Sequence, residues 1–256
     1  MFQALNGVLM SRMGPVVTGI AVGILAPVLT FLGNPGNMGI CVACFTRDIA
    51  GALGLHRAAV VQYIRPELAG FILGSFISSV AYGEYKPRTG SSPLIRFFLG
   101  FFAMIGALIF LGCPWRAYIR LSAGDLNAVL GIAGLVSGVA IGIAFLWKGF
   151  SLGRSYPVKM AAGYIMPAVA VTLLIFVILK PVFDPEGAAA IFFSEKGPGA
   201  MAAPVTIALG VGLLVGWWAQ RSRFCTVGAL RDLIMLRDAH LFNGVMAFLA
   251  AALVTN

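Results

Sequence analysis

The chain has 256 residues, 60% of them hydrophobic and only 11% charged, with a mean hydropathy of +0.95. A soluble domain carries about 25% charged residues, so this composition excludes an ordinary water-facing domain and leaves lipid to cover much of the surface. The net charge of +9 comes from 18 Lys and Arg spread between apolar runs, with no basic cluster interleaved with aromatics; this argues against nucleic-acid binding and fits the basic loops of a membrane protein.

In chain order, residues 15–33 form the first apolar run. The N-terminus shows no cleavable signal with a small-residue site, so this run is expected to stay as a first span. The segment Asn34-Pro35-Gly36-Asn37-Met38-Gly39-Ile40-Cys41 then breaks the helix, because Pro and Gly end helices and Asn tolerates turns. A short helix is predicted from about Met38 to Leu53, with Cys41 and Cys44 on one face and its N-terminal amides facing an anion or thiolate. Arg47 and Asp48 follow as an ion pair that pins this helix or serves the solute. His56 lies at its edge, as a cap or a proton carrier. Residues 66–82 are a weaker span and 93–112 a strong one, ended by Gly112-Cys113-Pro114-Trp115-Arg116. A cysteine at a helix broken by proline is well placed to line a path.

Further spans are expected at 126–147, 161–179 and 201–219, and a weaker one at 241–254. None of the runs alternates with period two, which argues for helices rather than a β-barrel. Gly134, Gly138 and Gly142 repeat at helical spacing and are expected to pack against a neighbouring helix. Trp217 and Trp218 close a span as an interfacial belt. The loop charges suggest a topology. Residues 148–159 carry +3 and 84–96 carry +2, so both belong inside, together with the N-terminus and Arg12. The loop 183–199 carries −2 through Asp184, Glu186, Glu195 and Lys196 and belongs outside. Residues 41–66 carry Arg47, Arg57 and Arg65 yet fall on the outer side, as a re-entrant segment would allow.

Shifting the sequence by 184 residues places Cys41 on Cys225, Arg47 on Arg231, Asp48 on Asp232 and His56 on His240. The pattern Cys-x5-Arg-Asp-x7-His therefore occurs twice, and the chain's two histidines superimpose. Each copy follows a strong apolar run, and an odd number of spans separates them, so the copies are expected to face opposite ways as an inverted repeat. Cys44 is replaced by Gly228 in the second copy, and the counterpart of Cys113 would fall beyond Asn256, so the second repeat is expected to be incomplete. The expected division is a first transmembrane repeat at 1–160, a linking span with an outer loop at 161–200, and the start of the inverted repeat at 201–256. Four cysteines give no disulfide scaffold, and no second CxxC completes a zinc site, so no metal or cofactor is expected. No GxxxxGK[ST] motif is present for ATP-driven pumping.

The stretch from Asn34 to Arg57, with Met38-Gly39-Ile40-Cys41-Val42-Ala43-Cys44 and Thr46-Arg47-Asp48 within it, resembles the YeeE/YedE (sulphur transport) family. It is most similar to the branch described as YedE-type selenium transporters. Arg65-Pro66-Glu67, Lys86-Pro87-Arg88, Gly112-Cys113-Pro114, Lys148 to Tyr156 and Phe192-Phe193-Ser194-Glu195 also fit that branch, so the resemblance covers nearly the whole chain. It implies an all-α, inverted-repeat protein of a bacterial-type cytoplasmic membrane, in which cysteines at a narrow constriction pass a small sulfur anion. Carried over by motif, Cys41, Cys113 and Cys225 are the counterparts of those cysteines, and Cys44 belongs to the selenium-type pattern.

The expected function is passage of an unchanged sulfur or selenium anion along Cys41, Cys44, Cys113 and Cys225, with Arg47, Asp48, Arg231, Asp232, His56 and His240 in support and no catalytic residue. Thiols are soft and polarisable, as such anions are, and weak multi-site binding suits conduction. The rivals are a membrane thiol–disulfide oxidoreductase using Cys41 and Cys44, and a non-transporting partner in sulfur or selenium delivery. The expected partners are membrane lipid and a second copy or another protein that completes the second repeat.

Overall fold

The computed structural model describes residues 2–181 and 191–256. Asp184 and Glu186, used above to assign the outer loop, lie outside the described residues. The expected spans all become helical: α2 (Gly14–Phe31), α4 (Pro66–Ala81), α5 (Pro93–Ile109), α7 (Asn127–Trp147), α9 (Ile165–Leu179), α10 (Val205–Ser222) and α12 (His240–Thr255). Between them lie shorter helices: α1 (Phe2–Met10), α3 (Val42–Ala52), α6 (Pro114–Ser122), α8 (Met160–Gly163) and α11 (Thr226–Met235). Proline opens α2, α4, α5 and α6, where its missing N–H would have had no intrahelical partner. Among the described residues, three stretches are long and apolar enough to cross a membrane: Gly14–Phe31, Pro93–Ser122 and Asn127–Trp147. The molecule is a helical membrane protein.

The core is built from two close helix pairs. In one, α4 packs along α10: a methyl group on Gly212 would collide with the Glu67 carbonyl, one on Gly216 with that of Phe71, and one on Gly74 with that of Leu213. In the other, α2 packs along α12, with Gly19 against Gly244 and Gly23 against Phe248. Small residues let the backbones touch, which is how membrane helices gain dispersion contacts when hydrophobic burial gives no net drive. The contacts advance in the same direction along both members, so α2 runs parallel to α12 and α4 parallel to α10. The Thr18 hydroxyl, near the start of α2, donates to Ser222 at the end of α10 (2.9 Å), so the two pairs run antiparallel to each other.

The loops assigned to one side of the membrane by charge meet in space. Residues 84–96 and 148–159 pair through a ribbon of β1 (Arg88–Gly90) and β2 (Ser155–Pro157), with Thr89 opposite Tyr156, reinforced by a hydrogen bond from the Ser91 hydroxyl to the Leu152 carbonyl. At that end Glu84 binds Arg221 (2.8 Å) and Arg223 (3.1 Å), and Arg221 also donates to Asn6. Trp217 stacks edge-on with Tyr82 there. At the other end, the Phe192, Ser194 and Gly199 amides donate to carbonyls of Ala52, Gln62 and Val60. Residues 192–199 thus lie on the segment that the charge rule left unexplained.

The glycines of α7 correct one expectation. A methyl group on Gly134, Gly138 or Gly142 would meet nothing, and only Ala128 and Ile143 of α7 are buried. Their spacing makes a smooth face, but among the described residues no helix covers it. Helix α5 has no buried residue at all, so both helices present apolar surface outward, as a lipid-facing wall does.

Candidate functional site

The site begins where α2 is stopped. Gly33 takes φ +123° and Asn37 φ +56°; both belong to the small set of residues that tolerate the left-handed region. Gly39 is pressed against the Ala26 carbonyl of α2, where a side chain would not fit. Residues 38–41 therefore stay non-helical, and α3 starts at Val42 rather than about Met38. Cys41 is its extended N-cap (φ −139°, ψ 99°), and its sulfur accepts the Cys44 amide at 3.4 Å. The two cysteines meet as N-cap and N3, not as neighbours on one helical face.

Cys113 arrives from the other side of the break. Leu111 and Gly112 turn the chain after α5, with Leu111 at φ +59°, and Cys113 is the N-cap of α6. Its sulfur packs with Cys41 and Cys44 among Met38, Ala43 and Phe45. As the N-cap of α6 its side chain makes no cap hydrogen bond, so its thiol is left to pack against the other two. The starts of α3 and α6, capped by Cys41 and Cys113, thus meet at one cluster, and helix N-termini favour negative charge. The Cys41 thiol donates to the Cys44 sulfur at 2.9 Å. Arg116 completes the cluster: its Nη1 reaches the Cys44 sulfur at 3.0 Å while its Nε donates to the Asn37 carbonyl at 3.1 Å. Cys41 and Cys44 are buried and Cys113 is partly exposed, so Cys113 forms the open side. All three are free thiols. Among the described residues, no group of three or more His, Cys, Asp or Glu is placed to hold a metal ion.

A buried polar frame holds α3 in place. Asp48 is held by Arg47 (2.7 Å) and by Arg65 (2.9 Å), and both Asp48 and Arg65 side chains are fully buried. Arg65 also donates to the carbonyls of Met201 and Pro198 and lies under the rings of Phe45 and Tyr63. The arrangement satisfies the guanidinium on every side, which is the condition for keeping a charge inside a membrane protein. The His56 ring accepts the Ala58 amide at Nδ1 and donates from Nε2 to the Arg47 carbonyl (3.0 Å), so it is the neutral Nε2–H tautomer tying the end of α3 back to its middle. Asn34 joins three segments: its amide group donates to the Gly39 carbonyl and to Glu67 Oε1, and its oxygen accepts the Ala203 amide. On the rim, the hydrogen bond from Arg120 to Asp125 (2.7 Å) holds that carboxyl below the usual carboxylate range and pins the turn between α6 and α7.

The second copy of the motif repeats the local geometry. Cys225 is an extended N-cap (φ −149°, ψ 120°) whose sulfur accepts the Gly228 amide at 3.3 Å, and Arg231 closes on Asp232 at 2.7 Å. The structure leaves Cys225 outside the thiol cluster, on an exposed position. Its link to the cluster is indirect: the neighbouring Phe224 ring packs on Trp115, 5.7 Å between centroids, two residues from Cys113. His240 opens α12, with its backbone amide on Asp238.

Sequence reasoning missed Arg116 as a thiol partner and Arg65 as the second partner of Asp48. Arg65 had a signal, since it begins an apolar helix where charge is costly. Arg116 was quoted within its motif but had no sequence-local partner, because Cys44 lies 72 residues earlier. Comparison with protein-family models, with curated proteins and with solved structures returned no match to this chain.

Proposed function

We propose that the chain passes a small sulfur- or selenium-containing anion, such as thiosulfate or selenite, across a bacterial-type cytoplasmic membrane as a member of the YeeE/YedE (sulphur transport) family. The observation that carries this reading is the clustering of Cys41, Cys44 and Cys113 at the starts of α3 and α6, with Arg116 on the Cys44 sulfur. Soft thiols, backbone amides and one guanidinium together match a soft anion. None of them is a base placed to cleave it, so the solute crosses unchanged. Cys225, with its own helix N-terminus, supplies a further station on the way. The inverted repeat is part of the proposal. It is supported by the parallel pairing of α2 with α12 and of α4 with α10, and by the matching caps at Cys41 and Cys225. The ribbon end of the bundle, with the N-terminus and the basic loops, faces the cytoplasm by the positive-inside rule.

Uptake of radiolabelled thiosulfate and selenite into proteoliposomes tests the reading, with chemical identification of the solute inside. Recovery only of a cleaved or reduced product, made by this protein alone, would overturn it. The 2.9 Å approach of the Cys41 and Cys44 sulfurs favours a second reading, a membrane thiol–disulfide oxidoreductase. Turnover of a dithiol substrate that requires both Cys41 and Cys44, without uptake of any solute, would establish that one instead.

A further inference from the structure

One buried carboxyl group takes no part in the thiol site. Glu67 lies in the first turn of α4 and is 3% exposed. Its Oε1 accepts the Asn34 amide at 2.7 Å, and its Oε2 has no hydrogen-bond partner. Glu67 is among the residues around a cavity between α3, α4 and α10 of about 10 Å³, room for about one water. The other walls are apolar, formed by Ile40, Val42, Phe45, Val211 and Gly212 among others.

The charged groups nearby are already committed. The Arg65 guanidinium is taken by Asp48, Met201 and Pro198. Asp48 is matched by Arg47 and Arg65. Tyr63 is the remaining titratable neighbour. The α2 segment offers the neutral Asn34, and α10 lines the cavity with Val211, Gly212 and Val215. No cation hydrogen-bonds to Glu67 and its Oε2 has no partner, so its ionised form is poorly compensated, a state that a carboxyl group escapes by taking a proton.

We propose that Glu67 is a proton-binding site and that its proton travels with the anion. The coupling rests on the transport reading above. It has a structural basis: Ile40 and Val42 of the cavity wall flank Cys41, and Leu68, next to Glu67, packs on the thiol cluster. An anion among the thiols and a negative charge at Glu67 repel each other through apolar surroundings. Anion binding therefore favours protonated Glu67, and protonation favours anion binding by the same factor. One proton enters with the anion and leaves with it on the far side, and no bond is oxidised or reduced.

Two measurements on the reconstituted full chain decide this. Under an acid-outside proton gradient, wild-type vesicles are expected to accumulate labelled thiosulfate several-fold over vesicles without a gradient, and Glu67→Gln vesicles to show no gradient effect. Infrared difference spectra on raising the pH are expected to show the carbonyl stretch of a protonated carboxylic acid disappear in the wild type, with no such change in Glu67→Gln. Gradient-driven accumulation at the wild-type level in Glu67→Gln overturns the coupling. A wild-type spectrum without that band overturns the proton site, and this arm holds even if the variant fails to fold. If the wild type takes up neither thiosulfate nor selenite under any gradient, the transport reading and the coupling fall together, and the infrared band still decides whether Glu67 binds a proton.

Discussion

At Cys41 and at Cys225 the chain does the same thing locally. An extended cysteine caps a short helix, accepts the amide three residues on, and is followed six residues later by an Arg that closes on the next Asp. The surroundings differ. Cys41 is fully buried against Cys44 and Cys113, whereas Cys225 is exposed and has Gly228 where the first copy has Cys44. Asp48 is braced by a second, buried arginine, whereas Arg231 is more than half exposed. The comparison shows that the cap is encoded within about a dozen residues, while the site is made by partners from far along the chain.

The largest effect should come from the thiols. Cys41→Ala is expected to reduce thiosulfate uptake to background at equal membrane insertion, and Cys225→Ala to do the same if both copies serve one path. Wild-type uptake in Cys225→Ala beside loss in Cys41→Ala would confine the path to the buried copy, and wild-type uptake in both would end the thiol mechanism. The acids come next. Asp48→Asn strips a buried guanidinium of its counter-charge and should lower stability in detergent by about 3–5 kcal/mol. The matching Asp232→Asn, at a solvent-accessible pair, should cost about 1 kcal/mol or less. Equal losses in thermal unfolding would show that burial does not separate the copies.

Arg116→Lys keeps the charge but not the fork that reaches Cys44 and Asn37 together. Losing one charge-assisted hydrogen bond, about 1.5 kcal/mol, should lower uptake about tenfold; an unchanged rate would remove Arg116 from the site. Two glycines sharpen the packing comparison, and the second should give the smallest effect. Gly212→Ala pushes a methyl group into the Glu67 carbonyl and should destabilise by about 1–3 kcal/mol, whereas Gly138→Ala meets nothing and should stay within about 0.5 kcal/mol of wild type. A large loss at Gly138, read by the same melting assay, would reveal a covering surface on α7.

Most of the helical layout was legible in the sequence, because apolar run length and proline position report directly on spans and their starts. That residues 84–96 and 148–159 lie together was legible from charge, although the β1–β2 ribbon that joins them was not, since its three-residue strands carry no alternation. The doubled cysteine motif pointed to two short helices, though not to its cysteines as their caps. The start of α3 was misplaced because nothing local reveals that Gly39 is pressed on Ala26. Gly134, Gly138 and Gly142 misled for a related reason: spacing shows that a face is smooth, not that anything lies on it. The union of Cys113 with Cys41 and Cys44, and the grip of Arg65 on Asp48, depend on tertiary folding that residue patterns do not express.

The glycine contacts also divide the bundle mechanically. With Gly19 and Gly23 seated on α12, and Gly212 and Gly216 seated on α4, neither pair has slack to slide, and each behaves as a rigid plank. The seam between planks is sewn more lightly, by Thr18 to Ser222 at one end and by Asn34 to Glu67 and Ala203 at the other. The hydrogen bonds across that seam come from two neutral side chains of one segment, Thr18 and Asn34, and among the described residues no ion pair crosses it.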